Sequence, residues 1–404
     1  MISFSIILSP LVYGLLAFSL LLTVVIVVWH VRRYSAVRRC VAASGSDVAE
    51  SLAPATVVVY AHNDGACLKR FLPYLLNQNY PNYEVIVVND SSVDNSAEVI
   101  SEMIANYDKL RQTFIPEGSR NVSRRKLAIM LGIKAARNEL IVVTNANCCP
   151  PGPDWLMLMC RNFTPDTDVV IGYSRPRYKK DHKFGRNYRV YDNVTDSVQY
   201  LSSDINGYPF RGTNDNLAYR RSSFFANNGF HRSLMLHFGD DDLFVSEIAR
   251  ADNTRVELCP DSIVTAFHDN YSAVHGELKL RHDFTAKRLR RWPFISSSLI
   301  SLCQYANVAA LAAAMALAWC NVWVACAAAV LLISLWVTGA AAVLLLSLWI
   351  TLVCLFRGNA RRLKAPKLHV GVPFYIYLRP IVNAFYAIRG YRMRESNFTW
   401  QRLK

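Results

Sequence analysis

Three consecutive carboxylates, Asp240, Asp241 and Asp242, follow Gly239 and precede the apolar stretch that begins Leu243-Phe244. Adjacent carboxylates repel one another, so such a run is costly unless counterions or a site require it, and the crowding raises the proton affinity of at least one member. A carboxylate of raised proton affinity is suited to general-base work. An N-cap for a following helix over 243–251 accounts for one aspartate but not for three. Upstream, polar residues close three apolar runs: Asn63 and Asp64 after TVVVY, Asp90 after EVIVV, and Asn145 and Asn147 after LIVV. Each alone is an ordinary turn former. Three successive strand ends of this kind point to one polar crevice.

The elements that must hold these residues follow from periodicity. Segments 56–60, 84–88 and 140–143 are short, β-branched and apolar, as buried strands are. Between them, 67–78 places Leu68, Phe71, Leu72, Leu75 and Leu76 on one helical face, and 123–137 reads as a further helix. Strands alternating with helices imply right-handed crossovers and a mostly parallel sheet flanked by helices. In such sheets ligands gather at the carboxyl ends of the strands, where the polar residues fall.

At this point a resemblance becomes specific. VVVYAHND, LLNQNYPNYEVIVVNDSSVDN, RRKLAIMLGIKAA and ELIVVTNANCCPPGPDWL, continuing through RGTNDNLAYRRSSFFANNGF and HFGDDDLFVSEIA, occur in an order and spacing that resemble family 2 glycosyltransferases over roughly 56–292. The resemblance implies an α/β domain of the GT-A nucleotide-diphospho-sugar transferase fold. It implies a nucleotide-diphosphate sugar donor, expected to be a UDP-sugar, with Asp64 and Asp90 at its nucleoside. It also implies a base, Asp240 or Asp241, that takes the acceptor's proton in a single inverting displacement; the register of the motif leaves both open.

The chain departs from the family where the diphosphate should be neutralised. Members usually carry Asp-x-Asp there, holding a divalent metal; this chain has Asn145-Ala146-Asn147. Asparagine oxygens still coordinate Mg²⁺ or Mn²⁺, but the site loses up to two negative charges and its metal affinity should fall sharply. Three routes stay open: neutralisation by cationic side chains (Arg124, Arg125 or Lys126, or Arg288 and Arg291), metal that arrives with the donor, or a domain that binds without catalysing. Lys126 joins Asp64, Asp90, Asn145 and Asn147 as the expected donor-binding set. The segment Arg288-Leu-Arg-Arg-Trp292 resembles the Gln-x-x-Arg-Trp signature of processive members, which makes Arg291 and Trp292 acceptor or diphosphate candidates. The competing reading of that basic run is a plain membrane flank.

Composition places the domain. The chain has 404 residues, 52% hydrophobic and 19% charged, with a formal net charge of +15. The charge divides as +4 over 30–40, +1 over 41–298 and +10 over 357–404. A nucleic-acid binder would concentrate basic residues on its folded domain, so nucleic acid is excluded as a partner. The basic residues instead flank uncharged stretches at 1–29 and 299–356, each longer than the roughly 20 residues needed to cross a bilayer core. The expected organisation is a transmembrane helix over 1–30, a basic juxtamembrane linker over 31–53 and a catalytic domain over 54–292. A transmembrane hairpin over 299–356 turning near Trp319-Cys320-Asn321 follows, then a basic, interfacial tail over 357–404. Basic residues on both sides of the hairpin place domain and tail in the cytoplasm, at an inner membrane. A channel or transporter is excluded, since no charge lies inside the spans and most of the chain is domain.

Two functions fit: a transferase building a lipid-linked or envelope glycan on a membrane, or a nucleotide-sugar-binding scaffold subunit that has lost catalysis. The ten cysteines form no Cys-x-x-Cys pair and are read as apolar fillers.

Overall fold

The computed structural model describes residues 2–43, 52–115, 123–177, 185–236, 238–325, 328–368 and 371–392. Helix α1 (Ile2–Ala43) opens the chain. The strand-helix alternation then runs β1 (Ala55–Ala61), α2 (Gly65–Leu76), β2 (Tyr83–Asn89), α3 (Ser96–Ile104), β3 (Leu110–Phe114), α4 (Arg124–Ala135) and β4 (Leu140–Asn145). The residues of β1 are apolar without alternation because both faces are covered. Val57 and Val59 pack with Leu68 and Leu72 of α2, whereas Val58 and Tyr60 pack with Ile129 and Ile133 of α4. Gly132 permits that second approach, since a Cβ there would lie 2.5 Å from Val58 Cγ1.

Strand β3 escapes the periodicity reading. Its sequence, LRQTF, is polar, and only Leu110 is buried; the strand is placed by pairing with β2 at the sheet edge. The chain continues through β5 (Cys148–Cys149), α5 (Trp155–Cys160), β6 (Val169–Ile171), β7 (Ser174–Pro176), α6 (Arg186–Ile205), β8 (Leu217–Arg220), α7 (Arg221–Ala226), α8 (Asp242–Ile248), β9 (Thr254–Val256), β10 (Val264–Ala266) and α9 (Tyr271–Ala286). The main sheet has the order β3-β2-β1-β4-β8-β6-β9. Its first four strands are parallel, while β8 runs antiparallel to both neighbours. A smaller sheet, β5-β10-β7, closes the end where β4 terminates.

Among the described residues, three helices are long and apolar enough to cross a membrane: α1, α10 (Trp292–Ala325) and α11 (Ala328–Arg362). Buried Asn307 of α10 joins the first pair, accepting from Ser19 Oγ at 2.5 Å and donating to Thr23 Oγ1 at 2.9 Å. Such polar contacts add specificity where lipid gives little driving force between helices. The turn between α10 and α11 comes later than expected. Helix α10 passes through Trp319 and Cys320 to Ala325, because nothing in that apolar stretch breaks a helix.

The basic segment after Trp29 is also not a separate linker at its start. Helix α1 continues without a break to Ala43 and buries Ala36 and Val37 completely, with α6 as its partner in the domain. The tail forms α12 (Val372–Arg392), which packs mainly on α9; residues 393–404 of the expected tail lie outside the described segments.

Candidate active site

The three aspartates leave the loop before α8 with different partners. Gly239 makes the turn at φ +86°, a conformation that L side chains rarely adopt, and a Cβ there would also meet Leu243 at 2.3 Å. Asp240 points into the protein: Oδ2 lies 2.6 Å from Arg125 Nε and accepts from Asn214 Nδ2 at 2.7 Å, while Arg281 stands 3.8 Å from Oδ1. Burial alone would raise its proton affinity, but Arg125 and Arg281 outweigh it and hold the carboxyl below the usual range. Asp241 is the N-cap of α8, its Oδ1 accepting from Asp242 N at 2.8 Å, and Asp242 accepts from Leu243 N and from Thr285 Oγ1.

Asp241 alone of these side chains combines a place in the cleft wall with partial exposure. Removal from bulk water, then the charges of Asp240 and Asp242, push its pKa up to about 7. The cleft beside it is also lined by Ser174, Arg211, Asp215, His268, Arg281 and His282.

The ends of β1 and β2 are laced together. Asn63 and Ser91 hold positive φ of 52° and 45°, a backbone state that costs energy outside glycine and clusters at functional sites. Asn63 N donates to Ser92 Oγ, Val93 N to Asn63 Oδ1 and Gly65 N to Asp94 Oδ2. Asp64 stands at the start of α2 with Oδ2 accepting from His62 N at 3.1 Å. Asp90 is buried; Tyr60 Oη donates to Oδ2, and Arg124 donates twice to Oδ1, at 2.8 and 2.6 Å. The cap of its turn is Asn89, whose Oδ1 accepts from Ser92 N.

Asn145 and Asn147 do not act as a pair. Asn145 Oδ1 accepts from Arg125 at 2.9 Å, and its amide donates to Asp215 Oδ1 at 2.5 Å. Asn147 turns away and donates to the carbonyl of Phe267 at 2.9 Å. Both amides are therefore engaged with protein, and the described residues hold no group of three or more His, Cys, Asp or Glu able to hold a metal. As placed, Asn145 and Asn147 do not form a ligand pair for Mg²⁺ or Mn²⁺. Asp215 restores one carboxylate at this place, from the TNDN segment rather than from β4.

Two other expectations are corrected by packing. Lys126 is no donor ligand: it is fully buried, and Nζ donates to the carbonyls of Ser233, Leu236 and Phe238 at 2.5, 3.1 and 2.8 Å. It holds the loop that delivers Gly239 and the aspartates. Arg291 and Trp292 are exposed and outside the cleft; Trp292 begins α10 with 63% of its surface open. The basic run before the hairpin divides by helical face. Lys279, Arg281 and His282 turn inward on α9, whereas Arg288 and Arg291 stay outside. Arg281, His282, Asp215 and His268 were missed because their cue lies in pairing across elements. Tyr208, Phe210 and Arg211 precede the TNDN segment; Tyr208 is exposed, Phe210 is in the core and Arg211 reaches the cleft.

The sequence model of Glycosyl transferase family 2 matches residues 56–228. Over those residues the chain is similar to family 2 glycosyltransferases. Among curated relatives, the glycosyltransferase GlyG of Streptococcus pneumoniae is 29% identical over 117 residues, 29% of this chain and 38% of that protein. The poly-beta-1,6-N-acetyl-D-glucosamine synthase of Staphylococcus epidermidis is 32% identical over 121 residues, 29% of this chain and 28% of that protein. The chain thus spans about a third of the length of these curated relatives. The mannosyltransferase PcManGT from Pyrobaculum calidifontis, solved with GDP-Man and Mn2+, is 20% identical with a TM-score of 0.51, over 81% of this chain and 98% of that one. That likeness shows a GT-A-like fold for the α/β domain.

Proposed function

We propose that the chain is a membrane-bound, inverting glycosyltransferase that moves a sugar from a nucleotide-diphosphate donor, a UDP-sugar by expectation, to a lipid-linked or envelope glycan acceptor at the cytoplasmic face of an inner membrane. One observation carries this reading: of two adjacent aspartates, Asp240 is held ionised by Arg125 and Arg281, while Asp241 faces the cleft with its pKa raised to about 7. A carboxylate poised near neutrality is the proton acceptor that attack by a sugar hydroxyl needs. Asp241 is therefore the base and Asp240 the positioning neighbour whose charge raises it.

The donor nucleoside belongs at Asp64 and Asp90, beside the laced ends of β1 and β2. Because Asp90 is paired with Arg124, a nucleoside would share that carboxylate or displace the guanidinium. The diphosphate is stabilised by Arg211 and Arg281, the arginines of the cleft wall. Basic residues around α1, α10 and α11 support the cytoplasmic placement.

Radiolabelled sugar transfer by purified membranes, over a panel of nucleotide sugars with and without EDTA, tests the assignment. Transfer that survives EDTA and is lost in Asp241→Asn is expected. Wild-type protein that binds nucleotide and never turns over across the panel would leave the scaffold reading in its place.

A further inference from the structure

The small sheet β5-β10-β7 has a cavity on each face. Side chains alternate along its strands, so Ser174 and Pro176 of β7 and Ala266 of β10 line the catalytic cleft. Arg175 of β7 and Thr265 of β10, with Arg177 and Phe267 just beyond the strands, line a second cavity on the reverse face. Among the described residues, Pro176 alone touches both spaces. The second cavity has a volume of about 620 Å³, within the size range of small-molecule sites. Its remaining walls are Arg186, the first residue of α6, and the stretch Lys364-Ala365-Pro366 that follows α11.

The wall carries four cations, Arg175, Arg177, Arg186 and Lys364, and no carboxylate. One acid stands near it: Asp261, 3.8 Å from Lys364 Nζ, with a side chain 74% exposed. Counting that acid in full still leaves three positive charges. The other contacts are to neutral groups. Arg175 donates to Thr265 Oγ1 at 3.2 Å and to the Lys364 carbonyl at 2.8 Å, and Lys364 Nζ donates to the Pro260 carbonyl at 2.5 Å. The guanidinium carbon of Arg177 lies 4.7 Å from the centre of the Phe267 ring. Among the described residues, no carboxylate is ion-paired with Arg175, Arg177 or Arg186. Helix α6 starts at the same wall, and its N-cap Gly185 brings no side chain to its first turn, so the positive end of the helix adds to the field. Lys364 is brought there by a backbone held at φ +50°, a state that costs energy outside glycine.

We propose that this cavity is an anion site separate from the catalytic cleft, and that its ligand carries two neighbouring phosphate groups. Four cations in one concavity exceed what a single phosphate needs and match a diphosphate. Such a ligand is either dissolved or the head of a two-phosphate lipid, because Lys364 stands two residues past the end of α11, where an apolar helix gives way to basic chain. It is neither donor nor acceptor, since the sheet separates it from Asp241. Ser174, on the cleft face of the same strand, donates to Asp215 Oδ2 at 2.6 Å. A ligand that ties the segment after α11 to β7 therefore acts on the cleft from behind.

The test uses the full chain in nanodiscs of neutral phosphatidylcholine, with no sugar donor present, and titrates inorganic pyrophosphate by calorimetry. Wild type should bind it. Affinity should fall about tenfold in Arg177→Gln and in Arg186→Gln, whose side chains make no hydrogen bond the fold depends on, and should recover in part in Arg186→Lys. It should hold in Arg211→Gln, which alters the cleft face alone. A second set of discs made of phosphatidylcholine and cardiolipin separates the two sources. Pyrophosphate excluded from those discs identifies a lipid head as the occupant, and pyrophosphate bound equally in both identifies a dissolved anion; either supports the site. Absence of binding, affinity unchanged in Arg177→Gln and Arg186→Gln, or a loss confined to Arg211→Gln overturns it. Sugar transfer plays no part in the readout, so the site and the transferase function stand or fall separately.

Discussion

Arg125 Nε lies 2.6 Å from Asp240 Oδ2, with both side chains buried, and the same guanidinium donates to Asn145 Oδ1 at 2.9 Å. One residue at the start of α4 thus ties the end of β4 to the loop of three aspartates. The neutral amide of Asn145 suits this arrangement, because an aspartate there would put a second carboxylate on an arginine already paired with Asp240.

Breaking that pair should cost more than the pair contributes. Arg125→Met leaves Asp240 buried without its main counterion, a loss of about 3 to 5 kcal/mol for such sites. The expected outcome is a lowered thermal midpoint together with loss of transfer. Arg125→Met combined with Asp240→Leu should recover much of the stability and none of the activity. A single variant as stable as wild type would show the ion pair to be dispensable.

The pH profile should report Asp241. A general base works only when deprotonated, so with a pKa raised to about 7, kcat/KM should fall tenfold per unit as pH drops below that value and level off above it. Asp241→Asn should lower transfer by about a hundredfold to ten-thousandfold while nucleotide binding persists. Asp240→Asn removes one of the charges that raise Asp241, and should shift the residual profile toward acid. A profile flat from pH 5 to 8 would rule Asp241 out as the base.

Lys126 should behave as a structural residue. Its three carbonyl partners belong to the loop between α7 and α8, and burial lowers its pKa to about 8. Lys126→Met strips those carbonyls of their donor, at about 1 to 3 kcal/mol for each group left unsatisfied. Stability should drop, and nucleotide affinity measured well below the unfolding temperature should hold. Weakened nucleotide binding in a fully folded Lys126→Met protein would restore the donor-binding role.

Trp292 offers the opposite case. It is exposed and away from the cleft, and surface changes of this kind usually fall within about 0.5 kcal/mol. Transfer by Trp292→Ala and by Arg291→Ala should stay within about twofold of wild type. A large loss of kcat in either variant would bring the Arg-Trp segment back to the acceptor.

Much of this protein follows from local sequence alone. Unbroken β-branched runs marked β1, β2 and β4, since a strand covered on both faces must be apolar throughout. Uncharged stretches with basic flanks marked the helices that are long and apolar enough to cross a membrane, since a bilayer core admits few charges. The run Asp240-Asp241-Asp242 marked a candidate site because three adjacent carboxylates are costly to hold together. What the linear order could not decide was partnership. Lys126 and Arg125 are neighbours on α4, yet one is held by a loop more than a hundred residues away and the other joins Asn145 to Asp240. Asn145 and Asn147 are two apart and face different partners, Arg125 with Asp215 in one case and Phe267 in the other. Asp240 and Asp241, identical in type and adjacent in the chain, are separated in chemistry only by which one meets Arg125. The sign of a pKa shift is set by charges a few ångströms away in space, and those come from distant segments that only the folded chain brings together.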